Sequence, residues 1–425
     1  MFTHRLPLIG ATCALALVCG SAAATNGYFA HGYGTKNKAL AGAGVALPED
    51  AMIVATNPAG LARVGNRLDV GAAVFAPSRS YQATGTGFIN TDGSEISSGR
   101  NLFLIPHFAY SRQLDASSSL GVAVYGNGGM NTKYSASDTP GGFGTFGAGT
   151  AGVDLVQLFI TPSYARQLND RISVGASLIL AAQTFKAYGV SSFNGMSATG
   201  DTGSESGADS AFGLGARVGV LADVSDRLAL GASYQSRVYM SEFDDYAGLF
   251  AEDGDVDIPS NFTLGAAYKL TPRATVAFDV QHIRYSEVAA IGNKMQPALS
   301  NCNFTAGDLD YCLGGDHGMG FGWDDQTIYK IGLQQQYSND LTLRAGFSLT
   351  DMPFKKSETL FNVLSPATIE KHFTAGFTKR LSKDTELSMT AMYAPEGRIS
   401  GAPLGQPVTI RMHQFELEAS YGMSW

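Results

Sequence analysis

The end of the chain has the clearest pattern of apolar and polar positions. In its last eleven residues, FELEASYGMSW, every second side chain is apolar, and the last of them is Trp425. A period of two places the apolar side chains on one face of a β-strand and the polar ones on the other. A soluble sandwich also contains such strands, but a lipid-facing strand with a terminal aromatic residue is typical of bacterial transmembrane β-barrels. The pattern therefore predicts that the chain ends on a barrel strand.

Short polar segments that interrupt this alternation predict the number of strands. Each of six such segments is flanked by alternating apolar residues and has the composition of a tight turn. They begin at Gln113, Gln167, Val224, Lys269, Tyr337 and Leu381. With a first strand near Arg67 and a last strand ending at Trp425, six turns and seven longer connections give fourteen antiparallel strands, an even number as bacterial barrels have. The glycine-rich stretch 126–150 leaves one hairpin more or fewer open.

The seven longer connections are rich in Gly, Ser and Asp, and each follows an upward strand. They cover residues 84–100, 135–150, 191–210, 244–257, 291–325, 357–366 and 397–407. Short turns at one end and long loops at the other are the periplasmic and extracellular ends of outer-membrane barrels. Both ends of the predicted barrel, residues 67–425, are then periplasmic.

Alternation also assigns side chains to the lumen or to the lipid. In the predicted strand 341–350 the odd positions are apolar and face lipid, which turns Thr342, Arg344, Gly346 and Ser348 into the lumen. The same count turns further charged residues inward, namely Arg217, Arg237, Lys330, Asp279, Glu386, Glu416 and Glu418. The simplest interpretation is a network of ion pairs in the lumen.

The start of the chain has the pattern of a secretory signal peptide. Arg5 precedes an apolar run to Cys19, and small residues follow up to Ala24, where we predict cleavage. Val18 stands before Cys19 where a lipoprotein would have a small residue, which disfavours lipidation. No later stretch approaches the roughly 20 apolar residues of a membrane helix. Residues 1–24 are therefore assigned to a signal peptide that directs the protein to the bacterial outer membrane.

Composition and charge agree with an exported barrel. The 425 residues include 51 Gly and only 16% charged residues, so apolar residues are dispersed by alternation. The net charge of −8 argues against a nucleic-acid partner. Outside the signal peptide the cysteines are Cys302 and Cys312, which share one polar loop. In an exported protein a disulfide between them is favoured over a metal site.

Residues 25–66 lack strand alternation but contain small apolar residues throughout. Residues 38–47 and 51–61 could form short helices that are broken by Pro48 and Pro58. Fourteen strands enclose more space than their own side chains fill, so a free lumen would conduct water. We therefore predict that residues 25–66 form a small, partly helical hatch inside the barrel.

At this segment the sequence resembles a known family. The run ALAGAGVA, the acidic pair Glu49 and Asp50, and the triplet Asn57, Pro58 and Ala59 resemble the N-terminal hatch of FadL-type outer-membrane transporters. The resemblance extends more loosely to the strand count, the glycine-rich third strand and the aromatic C-terminus. It implies passive uptake of hydrophobic molecules, chiefly long-chain fatty acids, with a branch for aromatic hydrocarbons. Family members are thought to capture ligand among the extracellular loops, bind it above the hatch and release it sideways through a kinked strand.

The sequence offers candidates for each part of that route. Gly126, Asn127, Gly128 and Gly129 interrupt the third strand and permit a bulge or bend, although an ordinary strand end would look the same. The loop residues Leu249, Phe250, Phe143 and Phe146 could form a capturing groove or only pack within the loops. A fatty acid needs one cationic anchor for its carboxylate. The alternation of side chains along the strands is the only basis for naming candidates, and these are Arg217, Arg237, Lys330 and Arg344.

Other functions have weaker support. The acidic positions Asp253, Asp255 and Asp257 lack the glycine and glutamate of a calcium loop, and the histidines His107, His282, His317 and His372 have no paired metal spacing. We predict no catalytic site, no metal and no cofactor. The expected partners are a hydrophobic ligand, outer-membrane lipid and lipopolysaccharide, and the barrel-assembly machinery, and the barrel is expected to be a monomer. The alternatives left open are an aromatic hydrocarbon channel, a general diffusion porin and a structural barrel.

Overall fold

The chain forms a closed antiparallel β-barrel in this computed structural model, which describes residues 26–304 and 308–425. The strands are β1 (Arg67–Ala83), β2 (Glu95–Ser97), β3 (Phe103–Gln113), β4 (Ser118–Asn131), β5 (Gly152–Gln167), β6 (Ile172–Tyr188), β7 (Asp209–Asp223), β8 (Leu228–Gln235), β9 (Tyr239–Met240), β10 (Asn261–Thr271), β11 (Ala274–Ile283), β12 (Gln326–Gln336), β13 (Leu341–Thr350), β14 (Lys371–Arg380), β15 (Thr385–Gly401) and β16 (Val408–Ser424). β2 and β9 are short additions to β1 and β7, and the other fourteen form the barrel. The predicted strand count is confirmed, whereas the predicted signal peptide lies outside the described residues.

The barrel closes where the first strand meets the last. β1 pairs with β16 over its whole length, from Arg67 opposite Ser424 to Ala83 opposite Val408. On its other side β1 pairs with β3. Closure satisfies the backbone groups at both edges, which a strand next to lipid requires because hydrocarbon offers no hydrogen-bond partner. The terminal Trp425 packs on Tyr110 with ring centroids 5.9 Å apart.

The helices of the described residues are all short. The α-helices are Thr35–Ala39, Ala251–Gly254, Ala289–Gly292, Met295–Asn301 and Thr359–Asn362. The 3₁₀ helices are Ala51–Ala55, Pro58–Arg63, Ala136–Asp138, Pro140–Gly142, Ser191–Met196, Asp244–Tyr246, Tyr285–Glu287, Lys356–Glu358 and Pro403–Gly405. Within the part of the chain that the structure describes, no helix combines the length and apolarity needed to cross a membrane.

The predicted turns and loops are present with shifted boundaries. Each of the six predicted tight turns joins two neighbouring barrel strands. The predicted loop 397–407 is shorter than expected, because residues from Gly397 to Gly401 pair with β16 and extend β15. The predicted loop 191–210 likewise ends early, since β7 starts at Asp209. The composition of these residues indicated a loop, but their backbone hydrogen bonds to the neighbouring strand keep them in the sheet.

The alternation of inward and outward side chains predicts their faces correctly within the strands, but it does not apply beyond the strand ends. In β13, Leu343 and Leu349 are each 41% exposed on the outer face, whereas Arg344 and Ser348 are buried inside. Arg237 was predicted to face the lumen from a strand, and this was wrong. β8 ends at Gln235, and Arg237 lies in the connection to β9, where alternation no longer applies.

Residues 26–66, which we call the N-terminal segment, lie inside the barrel and precede β1. Their helices differ from the predicted ones. The first helix, Thr35–Ala39, starts earlier and ends before Gly42, whose positive φ of 82° suits glycine. The second predicted helix is split, because Pro58 can occupy only the first turn of a new helix, Pro58–Arg63.

Cross-strand glycine pairs let the N-terminal segment lie directly on the barrel wall. Three pairs of glycines lie opposite each other on neighbouring strands, on the wall face that contacts the segment. They are Gly175 with Gly219, Gly231 with Gly265, and Gly332 with Gly346. A Cβ atom at Gly219 would lie 2.0 Å from Oδ1 of Asn57, and one at Gly175 would lie 2.4 Å from the carbonyl carbon of Pro58. The wall therefore has shallow notches that only glycine can form, and the segment fills them with its backbone.

The cysteines of the long connection between β11 and β12 are joined. Cys302 and Cys312 form a disulfide with their Cα atoms 4.7 Å apart, and Cys312 is fully buried. Nearby, the backbone N–H of Leu313 donates to the carbonyl oxygen of Met196 in another loop, at 2.9 Å. The disulfide therefore closes a ring that is itself fastened to a neighbouring loop.

We expect the disulfide to stabilise this loop and not the barrel. Closing so short a ring removes about 3 kcal/mol of chain entropy from the open loop. The variant with Cys302→Ser and Cys312→Ser should keep the heat-resistant mobility of a folded barrel while the 291–325 connection becomes sensitive to protease. Labelling of unreduced, denatured wild-type protein with a thiol reagent supplies the direct test. Full labelling of both cysteines would contradict the bond.

Candidate functional site

The barrel wall is interrupted between β3 and β4. Their ladder runs from Gln113 opposite Ser119 up to His107 opposite Tyr125, and no further pairing of these strands follows in residues 26–304 and 308–425. Above this point β4 continues from Gly126 to Asn131 and stays paired with β5. A register shift between Gly126 and Gly128 leaves Asn127 as a bulge, which bends the strand away from β3. The glycine-rich run thus lies at a break in the wall.

We call this break the wall gap, bounded by Arg79 of β1, Phe103 of β3 and residues 126–131 of β4. β3 begins only at Phe103, opposite Phe75 of β1, so the upper half of β1 has no barrel strand on that side. The short strand β2 covers β1 only at Ser80–Gln82. At the rim, the backbone N–H of Gly99 donates to the carbonyl oxygen of Lys133 at 2.8 Å. The gap is therefore a bounded window.

The beginning of the N-terminal segment takes the place of β3 at the free edge of β4. The backbone N–H of Ala30 donates to the carbonyl oxygen of Asn127 at 3.0 Å, and that of Gly129 donates to Tyr28 at 3.0 Å. Gly128 is needed there, because a Cβ atom would lie 2.0 Å from the carbonyl oxygen of Tyr28. The inner side of the wall gap is thus covered by a segment that is not part of the barrel.

Aromatic rings hold that segment in position. Tyr28 packs against Tyr285 and Trp323 with ring centroids 5.2 and 5.8 Å apart, and Phe29 packs against Tyr285 at 5.8 Å. Tyr285 also donates its hydroxyl hydrogen to the carbonyl oxygen of Asn26. Both Tyr285 and Trp323 belong to the connection between β11 and β12, at the long-loop end. The residues that cover the wall gap therefore pack directly against the β11–β12 connection, so a movement of that connection would disturb them.

Two apolar cavities lie along this part of the lumen. The loop cavity, about 40 Å³, lies among the long connections and is lined by apolar residues that include Val153, Phe185, Leu249, Phe250, Phe321 and Leu364. The gap cavity, about 20 Å³, lies at the wall gap and is lined by Phe75, Arg79, Met130, Pro366 and Met412 among others. Leu364 and Ser365, adjacent in the chain, line the loop cavity and the gap cavity respectively.

Of the four residues predicted to form a capturing groove, two line the loop cavity and two do not. Leu249 and Phe250 line the loop cavity. Phe146 is buried against Phe193 with ring centroids 5.0 Å apart, and Phe143 is 65% exposed. Phe146 therefore packs within the loops, which was the alternative interpretation of these residues.

The predicted hatch motif fastens two parts of the N-terminal segment to the wall. Asn57 Oδ1 accepts a hydrogen bond from the backbone N–H of Ala59, capping the helix Pro58–Arg63. Asn57 Nδ2 donates to the carbonyl oxygens of Val45 at 2.8 Å and of Val220, in β7, at 3.0 Å. One buried side chain therefore ties together the helix, an earlier loop of the segment and a barrel strand.

Three of the four predicted carboxylate anchors contact the N-terminal segment. Arg344 pairs with Glu49 at 2.7 Å. Arg217 donates to the carbonyl oxygen of Val54 at 3.1 Å and to the hydroxyl of Tyr125 at 3.0 Å. Lys330 Nζ donates to Gln281 at 2.8 Å and to the carbonyl oxygen of His31 at 3.4 Å. These donors already have partners, so they act as fasteners of the segment in this conformation.

The fourth predicted anchor, Arg237, belongs to a loop cluster with two aspartates. Its Nε donates to Asp257, and its Nη2 lies 3.6 Å from Asp255. Burial, and then the neighbouring Asp257, raise the pKa of Asp255 to about 7. A carboxyl that is partly protonated at neutral pH is a poor calcium ligand. Asp255 and Asp257 are thus accounted for by an ion pair with Arg237.

The predicted lumenal ion pairs form mainly between the segment and the wall. Lys38 lies 2.9 Å from Glu416 and 2.7 Å from Glu418, and all three side chains are buried. Lys36 pairs with Glu386 at 2.5 Å. Asp279 accepts hydrogen bonds from the backbone N–H groups of Gly44 and Val45 instead of pairing with a base. The inward acidic residues were correctly identified, and most of their partners lie on the segment, although Glu386 also pairs with Arg67 of β1.

Several site residues were missed from sequence. The inward glycines of β6, β7, β8, β10, β12 and β13 were not singled out from the sequence, although glycine within a strand can signal close backbone approach. Arg79 faces inward by the same parity as Phe75, so alternation could have found it. Tyr285 and Trp323 lie in loops, where no sequence pattern indicated their packing on Tyr28. In the described part of the chain, no group of three or more His, Cys, Asp or Glu could hold a metal ion.

Comparisons with known proteins place this geometry in a family. The sequence profile described as "Outer membrane protein transport protein (OMPP1/FadL/TodX)" matches residues 15–398. No curated protein sequence matches the chain. Among solved structures, the toluene transporter TodX of Pseudomonas putida superposes with a TM-score of 0.70 at 20% identity, over 93% of this chain and 99% of that one.

Two further solved structures have the same architecture. A FadL homologue of Pseudomonas aeruginosa has a TM-score of 0.68 at 14% identity and covers 94% of this chain and 99% of its own. The Ralstonia pickettii toluene transporter TbuX has a TM-score of 0.63 at 16% identity, with 93% and 99% covered. At these identities the likeness shows the fold. Because the profile match spans most of its length, the chain belongs to the OMPP1/FadL/TodX family of outer-membrane proteins that transport hydrophobic substrates.

Proposed function

We propose that this protein takes up long-chain fatty acids passively and releases them sideways through the wall gap. The observation that carries the proposal is the break in the β3–β4 ladder, with apolar side chains behind it. A barrel wall needs a continuous ladder next to lipid, because an unpaired backbone group in hydrocarbon costs several kcal/mol. A barrel whose β3–β4 ladder stops, and whose free strand edge is covered by a separate segment, has a wall that can open there.

Capture would begin at the loop cavity. Its lining by Leu249, Phe250 and Phe321 offers apolar contact to a solute that water and lipopolysaccharide exclude. The cavity is too small for an acyl chain in this conformation, so the loops must separate to admit one. Since Tyr285 and Trp323 join these loops to Tyr28, separation would also disturb the cover of the wall gap. Ligand entry and opening of the window would thereby be coupled.

Release would follow through the gap cavity. Phe75, Phe103, Ile105 and Met412 belong to one buried apolar cluster on the lumen side of the gap, and Ala30 of the N-terminal segment belongs to the same cluster. Movement of Tyr28–Ala30 away from β4 would give a chain continuous apolar contact from the lumen to the lipid. The hatch below would stop the ligand and water from passing straight through.

Uptake of aromatic hydrocarbons is a second candidate. Its support is the loop cavity, because every lining side chain named above is apolar and none is a cation that would recognise a carboxylate. Solved relatives with this fold include transporters described as carrying toluene. Competition separates the two substrate classes. Excess toluene should leave oleate uptake by the intact protein unchanged if fatty acids are its substrates, and should suppress it if hydrocarbons occupy the same route.

The remaining expectations concern the surroundings of the barrel. We propose that the mature chain is a monomer in the bacterial outer membrane, with the short turns in the periplasm and the long loops outside. The aromatic residues of β16 would be the signal read by the barrel-assembly machinery, and lipopolysaccharide would surround the long-loop end. No cofactor, metal or catalytic residue enters the proposed mechanism.

A disulfide across the wall gap should block release. Ile105 and Gly126 are suitable, because a Cβ atom at Gly126 would lie 3.4 Å from Ile105 Cγ2. The variant with Ile105→Cys and Gly126→Cys, built together with Cys302→Ser and Cys312→Ser, should lose most oleate uptake when oxidised and regain it on reduction. Uptake is measured with radiolabelled oleate in a bacterial strain that lacks its own fatty acid transporter.

The matched control ties the same two strands below the gap. Ala109 and Ala123 are register partners within the closed part of the β3–β4 ladder. Ala109→Cys with Ala123→Cys, in the same serine background, should leave uptake unchanged when oxidised. Equal uptake by oxidised and reduced forms of the gap variant would rule out the lateral route. Loss of uptake in the oxidised forms of both the gap variant and the control variant would mean that any cross-link between β3 and β4 impairs transport, and would not support the lateral route.

Loosening the hatch should alter fatty acid uptake without unfolding the barrel. Asn57→Ala with Pro58→Ala removes the cap and two buried hydrogen bonds, about 1 to 3 kcal/mol for each partner left unsatisfied. The pairs of Lys36, Lys38 and Glu49 with the wall stay in place. We expect a heat-resistant barrel, reduced oleate uptake at equal surface abundance, and unchanged flux of a small sugar.

Asn169→Ala provides the control for that variant, because Asn169 caps an exposed turn at the same end of the barrel. It should leave oleate uptake and sugar flux as in the wild type. Unchanged oleate uptake in the Asn57 and Pro58 variant would remove the hatch from the mechanism. A parallel rise in sugar flux and in ion conductance across planar bilayers would favour a general diffusion porin.

A further inference from the structure

Arg79 is a buried guanidinium without a carboxylate partner among the described residues. It faces the lumen from β1 and is 4% exposed. Its Nη1 and Nη2 donate to the backbone carbonyl oxygens of Asn131 and Arg100, and its Nε–H has no partner in the described structure. A buried charge is normally neutralised by an opposite charge, because its removal from water is costly. Arg79 therefore retains capacity for an anion.

The surroundings of Arg79 carry an excess of positive charge. Arg100 lies beside it and pairs with Asp154, which also accepts a hydrogen bond from Asn131. The guanidinium carbons of Arg79 and Arg100 lie 5.6 and 6.0 Å from the ring centroid of Phe103. Two arginines thus lie together at the edge of the wall gap, and of these only Arg100 has a carboxylate partner in the described structure. An incoming carboxylate would balance the local charge.

The gap cavity gives this cation an apolar neighbourhood. Besides Arg79, its lining includes Phe75, Met130, Pro366 and Met412. Asn131 Oδ1, in the same lining, also lacks a hydrogen-bond partner among the described residues. One cation at the end of an apolar pocket matches a molecule with one anionic group and a hydrocarbon chain. A neutral hydrocarbon would leave the cation as it is.

We propose that Arg79 binds the carboxylate of a long-chain fatty acid in the gap cavity and selects it over neutral molecules of the same length. The proposal rests on the lateral route proposed above. The carboxylate accepts hydrogen bonds from Nε–H and from the parallel Nη2–H of Arg79, the arrangement that a planar guanidinium favours. The predicted anchors Arg217, Lys330 and Arg344 instead hold the N-terminal segment.

Binding at Arg79 also acts on the window. Arg79 Nη2 donates to the carbonyl oxygen of Arg100, in the connection that precedes β3, and so ties the rim of the wall gap to β1. A carboxylate that takes over the Nη2 donor together with Nε–H breaks this link. The substrate headgroup thereby releases one of the contacts that keep the window closed, while its chain lies against Phe75 and Met412. A neutral ligand leaves the link intact.

The experiment compares two ligands that differ only in the headgroup. Oleate and oleyl alcohol are each titrated into the full-length mature barrel in lipid nanodiscs, with empty nanodiscs subtracted. Arg79→Gln removes the charge, Arg79→Lys retains it, and Arg112→Gln changes an exposed arginine on β3 as a control. Retention of heat-resistant mobility shows that each variant is folded.

We expect Arg79→Gln to weaken oleate binding about tenfold, which corresponds to about 1.4 kcal/mol, and to leave oleyl alcohol binding unchanged. Arg79→Lys should keep a preference for oleate, because the charge remains, and Arg112→Gln should behave as the wild type. If Arg79→Gln does not fold, the Arg79→Lys result decides, and equal affinity of that variant for the acid and the alcohol overturns the proposal.

The other outcomes separate the anchor from the proposed function. Unchanged oleate affinity in Arg79→Gln, or an equal loss for both ligands, means that Arg79 only supports the structure, and the anchor is then wrong. Wild-type protein that binds both ligands equally well also overturns the anchor while leaving lateral transport intact. Wild-type protein that binds neither ligand overturns the proposed function itself.

Discussion

Satisfaction of backbone hydrogen bonds in hydrocarbon is the constraint on which this structure depends. Lipid offers no partner to an exposed N–H or C=O group, so a barrel must close its ladder completely. Here β1 closes on β16, while the β3–β4 ladder stops at His107 opposite Tyr125 although β4 continues to Asn131. The residues Tyr28–Ala30 of the N-terminal segment supply the missing partner from inside the lumen. A wall completed by a segment that is not part of it can be opened by moving that segment.

The N-terminal segment must in turn be held firmly enough to fill the lumen. Glycine pairs in the wall bring the two backbones into contact, and Asn57 bonds both at once. Lys38 with Glu416 and Glu418, and Arg344 with Glu49, add buried ion pairs for which loss of one partner costs about 3 to 5 kcal/mol. These contacts lie around residues 35–61, whereas the cover of the wall gap is held mainly by aromatic packing. The segment therefore has a fixed part and a part with weaker directional contacts.

This division explains how one fold can serve several substrates within a family. The hatch contacts depend on backbone approach and buried charge, which no ligand needs to touch. Substrate contacts come from the loop cavity and the gap cavity, whose linings are side chains on long connections and on the ends of strands. Solved relatives at 14–20% identity share the barrel with this chain, and they are described as toluene transporters and as a FadL homologue. In the proposal made above, specificity comes from a few residues that line these cavities, such as Arg79.

The sequence by itself determined the fourteen strands, the tight turns, the inward and outward faces and the existence of a hatch. These follow from local rules, because alternation, turn composition and the break in alternation at residues 26–66 are all read along the chain. The resemblance to FadL-type transporters drew attention to Asn57, and the glycines marked residues 126–129 as a possible bend, since glycine frees the backbone locally. The pairing of Cys302 with Cys312 followed from the few cysteines available.

Only the tertiary structure decided which groups meet. Arg217, Lys330 and Arg344 face the lumen as parity requires, yet whether they contact a ligand or the hatch depends on residues far away in sequence. Arg237 lies beyond the end of β8, so parity could not place it. The bend of β4 had two interpretations, and only the end of the β3–β4 ladder at His107 and Tyr125 distinguishes them. Arg79 stands out for the same reason, because a missing partner is a property of the packed structure and of no local pattern.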